Sequence, residues 1–347
     1  MPRTARRGEG AWGWLFVSPM VLVLGLFLVL PILMALWVSL LHWDGQSNPF
    51  SSRAHFVGLD NYRSLLTEDG LDRTLFATSL RNNAYYVLLT VPLQTLLALV
   101  LALVVNQRML RGRSALRTAF FFPSVTSSIA VSTVFLFLFQ GSGAVNTLLA
   151  WAGVKGPNWY ADPRGVLSLL LGALGLVDPD HPVGVLANHS ILGLSWYQWL
   201  SGPSVAMCTI ILLSVWTTSG TFMLIFLAAL QDIPRELEES AAIEGAGRFQ
   251  MLRYVTLPAL RPVLFLVLTL GLISTWQVFD QVYVMSRGAP GNTTLTPAYL
   301  SYSSAFGDSD FGQGAAIAFV LLALILGLTA LQRLALRERT PRTRRNR

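Results

Sequence analysis

Charge is scarce in this 347-residue chain: 12% of its residues are Asp, Glu, Lys or Arg, against about 25% in soluble domains. With 53% hydrophobic residues and a mean hydropathy of +0.54, that shortage excludes a water-soluble enzyme and a disordered chain. The single Cys208 excludes an intrachain disulfide, and four scattered histidines give no framework for a His/Cys metal site. Lysine is nearly missing too. A P-loop needs Gly-x-x-x-x-Gly-Lys-Ser/Thr, and the one lysine sits in Gly153-Val154-Lys155-Gly156, so this chain holds no P-loop. The pI near 10 raises nucleic acid as a partner, but the positions of the arginines argue for membrane orientation instead.

What the chain does have is apolar runs, each long enough to cross a hydrocarbon core of about 30 Å. Six spans are predicted: 12–41, 84–106, 118–140, 205–230, 260–285 and 313–334. The fold class is therefore an all-α, multi-pass membrane protein. The first run, Trp12 to Leu41, follows Arg3, Arg6 and Arg7. It is far longer than the core of a secretory signal, about 7–15 residues, and no small-residue cleavage site ends it. It is read as an uncleaved helix bent at Pro19 or Pro31; the residues flanking Arg6-Arg7 do not fit a twin-arginine export signal.

Charge orients the spans. Of 25 Lys and Arg, three precede the first span, four lie in 107–117, four in 231–261 and seven after Gln332, giving 18 on one side. The other side holds four in 42–83, two in 141–204 and one in 286–312, giving seven. By the positive-inside rule both termini are cytoplasmic. Arg108, Arg111, Arg113 and Arg117, with no acid among them, are the cleanest case. The organisation expected is a short cytoplasmic tail, 1–11, a transmembrane domain, 12–335, and a basic cytoplasmic tail, 336–347, that anchors the last helix against anionic lipid.

Two outer segments exceed what a helix connection needs. One, 42–83, carries Phe56-Val57-Gly58-Leu59-Asp60-Asn61-Tyr62, too polar to span. The other, 141–204, includes an insertion at about 161–200 with a second apolar run, Val166 to Val177. Twelve residues reach only about 18 Å as a helix, so this run is expected to lie at the interface or to cap the outer mouth. An eight-span alternative pairs it with Leu186–Leu200 as an added hairpin and leaves the termini unchanged. Asn188-His189-Ser190 matches a glycosylation sequon, a triplet common by chance.

The most informative stretch lies between the fourth and fifth spans, Ile233 through Gly245 to Pro258. Pro234 suits a first helical turn, and Glu236, Glu238 and Glu239 sit where the helix dipole favours negative charge. Gly245 allows a sharp turn, and a second short helix leads to Pro258 at the head of the fifth span. Ser240, Ala241, Ala242 and Ala246 are small enough for another surface to approach closely. On composition alone, a solvated amphipathic connector accounts for the segment equally well.

The spacing here resembles the EAA motif of permease subunits in binding-protein-dependent ABC importers: Glu-Ala-Ala, three residues, Gly, nine residues, Ile, one residue, Leu-Pro. The chain reads Glu239-Ser240-Ala241, Gly245, Val255 and Leu257-Pro258, with every interval matched and Ser240, Glu244 and Val255 as small departures. Leu15-Phe16 with Pro19 and Pro31, the 56–62 segment and Arg117-Thr118 with Pro123 resemble the sugar-importer branch related to the maltose system. So do Leu227-Ala228-Ala229-Leu230-Gln231-Asp232-Ile233-Pro234, Phe279-Asp280-Gln281-Val282-Tyr283 and Gly288-Ala289-Pro290, the last standing for Gly-Gly-Pro. The 161–200 insertion departs from the family.

The resemblance implies a chain without catalysis of its own, in a bacterial or archaeal inner or plasma membrane. Its implied partners are a second related permease, an external substrate-binding protein and a cytoplasmic ATPase pair. That ATPase pair, carrying ATP and Mg²⁺, would grip 234–256 as a coupling helix through Glu239, Ser240, Ala241, Glu244, Gly245, Ala246, Leu257 and Pro258. Sugar contacts are implied in the fourth and fifth helices; glycerol phosphates and polyols stay open as solutes.

Polar residues inside spans mark a candidate route. Ser214, Thr217, Thr218 and Thr221 share one helical face, and Gly271, Ser274, Thr275 and Val278 repeat the spacing. Both stripes lie near mid-membrane, the usual depth of transport sites, although the same residue types serve helix packing. Trp276 and Gln277 could add aromatic and amide contacts, or Trp276 could pack against lipid. Asp280 lies 18 residues past Pro262, about 27 Å along a helix, and is expected as an interfacial carboxylate. Ser124, Thr126, Ser127 and Ser128 are further candidates. An ion-coupled secondary transporter is the alternative, disfavoured by the motif match and by the lack of a mid-membrane acid. A membrane-embedded enzyme would need acids or histidines clustered at one face. The cytoplasmic acids sit instead in 232–244.

Overall fold

The computed structural model describes residues 5–51, 54–107, 112–173, 190–191 and 193–335. Arg3, Arg108, Arg111, residues 174–189 of the insertion with Asn188 and His189 among them, and the basic tail 336–347 lie outside them.

In chain order the helices begin with α1 (Ala5–Leu24), a π turn (Gly25–Val29) and α2 (Leu30–Val38). Strands β1 (Leu41–His42) and β2 (His55–Phe56) follow, then α3 (Asp60–Leu66), α4 (Leu71–Asn106), α5 (Arg113–Val125), α6 (Ser128–Leu138) and α7 (Ala144–Trp151). The insertion supplies α8 (Val166–Ala173), β3 (Ser190–Ile191), β4 (Leu194–Ser195) and α9 (Trp196–Leu200). After α10 (Val205–Gln231) come α11 (Arg235–Ile243), α12 (Arg248–Met251), a second π turn (Leu252–Thr256), α13 (Leu257–Ala259) and α14 (Arg261–Trp276). The chain ends with α15 (Asp280–Met285), α16 (Pro297–Tyr302), a third π turn (Ser303–Gly307) and α17 (Phe311–Ala335).

Among the described residues four helices are long and apolar enough to cross a membrane: Gly13–Val38, Leu71–Asn106, Val205–Gln231 and Phe311–Leu334. Six are reached if two bent pairs each count as one span, Arg113–Val125 with Ser128–Leu138 at 94° and Arg248–Ala259 with Arg261–Trp276 at 68°. The stretch 118–140, expected as one span, is therefore broken at Thr126-Ser127, where the backbone is extended. The fifth helix stops at Trp276 rather than 285, and the second begins at Leu71 rather than 84.

Two prolines explain two of the π turns. Proline has no N–H, and its ring crowds the carbonyl four residues back. Ahead of Pro31 and of Pro258 the helix widens, so that Leu30 N–H reaches Gly25 O and Leu257 N–H reaches Leu252 O, five residues back. Pro19 sits inside α1 without ending it. The carbonyl of Leu15, which Pro19 cannot serve, accepts from the Ser18 hydroxyl at 2.9 Å, a repair suited to a medium without water.

The chain forms two compact units, 1–68 with 301–320 and 69–300 with 321–347. In the first, Leu41 pairs with Phe56 and His42 with His55. The 56–62 segment earns its polarity here: the Asn61 amide donates to the carbonyls of Ser39 and Leu41, both at 2.9 Å, and Tyr62 OH meets Ser39 Oγ at 2.7 Å. Phe311 N–H donates to Trp43 O at 3.0 Å, and the two rings stand 5.3 Å apart.

The second unit has two apolar cores. One gathers Tyr86, Val91, Met207, Ile210, Trp276 and Val282; the other gathers Ala98, Ala102, Phe222, Met223, Phe226 and Val267. The α4 face that feeds both changes character along its length. Ser79, Asn83, Tyr86, Thr90 and Gln94 are buried polar groups at helical spacing, and Ala98, Ala102 and Val105 continue the same stripe as small apolar ones. The Asn82 amide donates to Asn292 O at 2.7 Å and Leu295 O at 3.0 Å, fastening the loop that carries Gly288-Ala289-Pro290 with its cis Ala289–Pro290 bond.

The insertion adds no spans among the described residues. α8 is described over eight residues and α9 has five, short of the about 20 that cross a bilayer, and 190–191 pair with 194–195 as strands rather than as a helix. The described part of Leu186–Leu200 thus holds a strand pair and a five-residue helix where the eight-span alternative has one arm of a hairpin. α9 starts at a capping box, Ser195 with Gln198.

Candidate functional site

The hydroxyl stripe on α10 faces two adjoining cavities. The larger, about 460 Å³, is bounded by Ser124, Thr126 and Ser128 at the α5–α6 break and by Thr217, Thr218 and Thr221 on α10. Ser274 near the end of α14 and Gln277 and Gln281 just beyond it close the remaining side. The smaller, about 200 Å³, shares Thr218, Ser274, Gln277 and Gln281 and adds Tyr86 and Gln94 from α4, Ser214, Thr275 and Asp280.

Two helix breaks make this space. α5 gives way to α6 at Thr126-Ser127, α14 stops at Trp276, and α15 starts afresh at Asp280. Irregular backbone at membrane depth is tolerated where it lines a cavity. Several hydroxyls already spend their proton on the helix. Thr217 Oγ1 donates to Leu213 O at 3.0 Å, Ser274 Oγ to Gly271 O at 3.1 Å and Thr275 Oγ1 to Gly271 O at 2.7 Å. Their free lone pairs can accept from a solute hydroxyl. Tyr86 OH donates to Ser214 Oγ at 2.6 Å.

Not every candidate joins the cavities. Trp276 is 6% exposed and packs in the first core, not against lipid, while its carbonyl accepts from the Asn83 amide at 3.2 Å. Gly271 faces α4: a Cβ there would stand 2.7 Å from Gln94 Nε2. Ser127 is the N-cap residue of α6 and lines neither space. Asp280 lies on a separate short helix at the smaller cavity, so the 27 Å measured along an unbroken helix does not apply. The sequence reading missed Tyr86, Gln94 and Gln281. For Tyr86 and Gln94 the signal was the polar spacing 86, 90, 94 inside the expected second span, which runs on through 83 and 79 once the helix is carried back to Leu71; Gln281 lies outside that pattern.

A second candidate site is the exposed elbow between α10 and α14. Pro234 is the N-cap of α11, one residue before the helix rather than in its first turn, and Glu236 and Glu238 occupy that turn. Gly245, at φ +85°, ends α11. Gly245 N–H donates to Ala242 O and Ala246 N–H to Ala241 O, both at 3.0 Å, the paired bonds of a Schellman motif. The side chain of Gln250 then accepts from Gly247 N–H at 2.8 Å and starts α12. Glu239, Ser240 and Glu244 are exposed, and Ala241 and Ala246 are half-buried. Leu257 and Pro258 form the head of α13, just past the π turn. Three apolar side chains stand out from the elbow: Ile243 at 88%, Phe249 at 71% and Tyr254 at 70% exposure. Among the described residues no three His, Cys, Asp or Glu are grouped to hold a metal.

Residues 94–339 match the family described as the binding-protein-dependent transport system inner membrane component. The chain belongs to this family. The permease is 32% identical over 313 residues to a probable ABC transporter permease of Pyrococcus horikoshii, covering 90% of this chain and 91% of the other. It is 31% identical over 322 residues to the trehalose/maltose transport system permease protein MalF of Thermococcus litoralis, covering 92% of each. With the lactose transport system permease protein LacF of Rhizobium radiobacter the identity is 30% over 330 residues, 94% of each chain. The permease also shares the fold of a bacterial ABC transporter involved in the import of the acidic polysaccharide alginate, with a TM-score of 0.70 and 19% identity over 98% of this chain and 100% of the other. An ABC permease fold in a membrane protein is thus established, and the cavities and the elbow both fall inside the matched region, apart from Tyr86.

Proposed function

We propose that this permease carries a sugar or oligosaccharide across the membrane in six spans, with both termini and the 234–256 elbow in the cytoplasm. Its transmembrane domain, 12–335, lies between the tails 1–11 and 336–347. The observation that carries the reading is the pair of adjoining cavities at the broken helices, where hydroxyls and amides are set among apolar walls such as Leu213, Phe222 and Leu270, with Asp280 as the one acid of the two linings. A volume of about 460 Å³ falls in the range of small-molecule sites, about 300–1,000 Å³. Neutral hydroxyls and amides suit a neutral polyhydroxylated solute. The relatives named for trehalose/maltose and lactose transport support the same class.

Energy comes from elsewhere. An ATPase pair docks on the elbow, seating Ile243 and Phe249 and the exposed Glu239. Its closure moves α10 and α14, which flank both the elbow and the cavities. A free-energy input acts only where two states differ in contact with the partner, and a docked helix provides that difference. A second, related permease completes the route, and an external binding protein delivers the solute.

The test is uptake by the reconstituted complex. Gly245→Pro is expected to abolish uptake while the isolated ATPase hydrolyses ATP as before. Wild-type uptake in that variant at normal levels removes the coupling role. Uptake by this chain alone, driven by an ion gradient, would instead favour a secondary transporter.

A further inference from the structure

Gln94 has no role in the reading so far. Asn83 Oδ1, Thr90 Oγ1 and Thr95 Oγ1 on the same helix are also buried without partners, but Gln94 lacks them at both amide atoms and borders a cavity whose lining does not include the other three. It is 0% exposed, in the middle of α4, and neither its Nε2 nor its Oε1 has a hydrogen-bond partner. It lines the smaller cavity together with Tyr86, Ser214 and Asp280. Across from it, Gly271 leaves the room that the amide occupies, with Val91 and Phe222 the next neighbours of that position.

Burying an amide without partners is costly, and an apolar side chain of similar shape would avoid the cost. One turn further on, the same stripe is apolar, at Ala98 and Ala102, so the packing of α4 does not itself call for a polar group. An amide both donates and accepts, as a sugar hydroxyl does. We propose that the Gln94 amide is a specificity-determining contact for hydroxyls of the transported solute, and that Gly271 is the point where α14 closes over it between cycles. This rests on the two cavities being the solute's route. It adds α4 as a wall to the α10 and α14 stripes and makes the amide a group that the solute, not the protein, satisfies.

The test uses the complete transporter in proteoliposomes, with Cys208→Ser removing this chain's single thiol and labelling read on this chain after its separation from the other subunits. Gln94→Cys, Thr218→Cys and, as a core reference, Ala102→Cys are treated with methanethiosulfonate ethylammonium during ATP turnover. Gln94→Cys is expected to react on the order of tenfold faster than Ala102→Cys, because a cavity wall opens and a core position does not. Gln94→Leu is expected to lower kcat/KM for uptake of trehalose, maltose or lactose by roughly tenfold with no fall in melting temperature, since an unpaired amide adds nothing to stability.

If Thr218→Cys reacts while Gln94→Cys stays as slow as Ala102→Cys, the route stands and the Gln94 assignment falls. If neither reacts, both fall. Parent-like uptake by Gln94→Leu overturns the assignment, and so does lost uptake accompanied by a lower melting temperature, the mark of a structural residue.

Discussion

At Gly245 the backbone sets the constraint. A Cβ there would meet nothing within 4 Å, but φ is +85°, a conformation that costs an L-residue about 1–2 kcal/mol. Uptake is expected to fall in the order Gly, Asn, Ala at this position, because Asn visits left-handed geometry more readily; equal transport by all three would show that the turn carries no load. Asn61 is constrained through its side chain instead. Asn61→Ala leaves the Ser39 and Leu41 carbonyls without their donor and is expected to cost about 1–3 kcal/mol, read as a lower melting temperature in detergent. The need for a turn at Gly245 was legible from the glycine and its spacing. The job of Asn61 was not, because nothing in the sequence says which carbonyls lie beside it.

At the scale of elements, hydropathy found the long helices and misjudged where they break. α10 matched its expected span to within a residue because it is uninterrupted. The 118–140 run stayed apolar through a 94° bend, and two residues of extended backbone at Thr126-Ser127 leave no trace in a hydropathy profile. α4 erred the other way. Arg81, Asn82 and Asn83 made 71–83 look like loop, but Asn82 and Asn83 are buried with carbonyl partners, so the helix carries them. Within α10, Phe226 is fully buried in the second core. Between membrane helices van der Waals packing holds the contact, and Phe226→Ala is expected to cost about 3 kcal/mol through the cavity it leaves, measured by thermal unfolding in detergent. An unchanged melting temperature would mean that this core collapses to fill the space.

For the molecule as a whole, orientation is the open quantity with the simplest check. In a Cys208→Ser background, Ile243→Cys is expected to react with an impermeant maleimide only from the cytoplasmic side, and Leu71→Cys only from the outside. Labelling of both from one face would overturn the topology drawn from the arginines. The sequence by itself determined that the chain is a helical membrane protein, which residues carry the spacing of the proposed coupling motif and, through its family, what kind of transporter it serves. Those properties are written in local spacing and in apolar length, which need no knowledge of neighbours. Only the tertiary structure decided that the α10 and α14 stripes meet at shared cavities, that Trp276 packs inward, and that Gln94 on a third helix borders the same space. Such facts depend on how separate helices rotate and where they break, and packing between distant segments sets both.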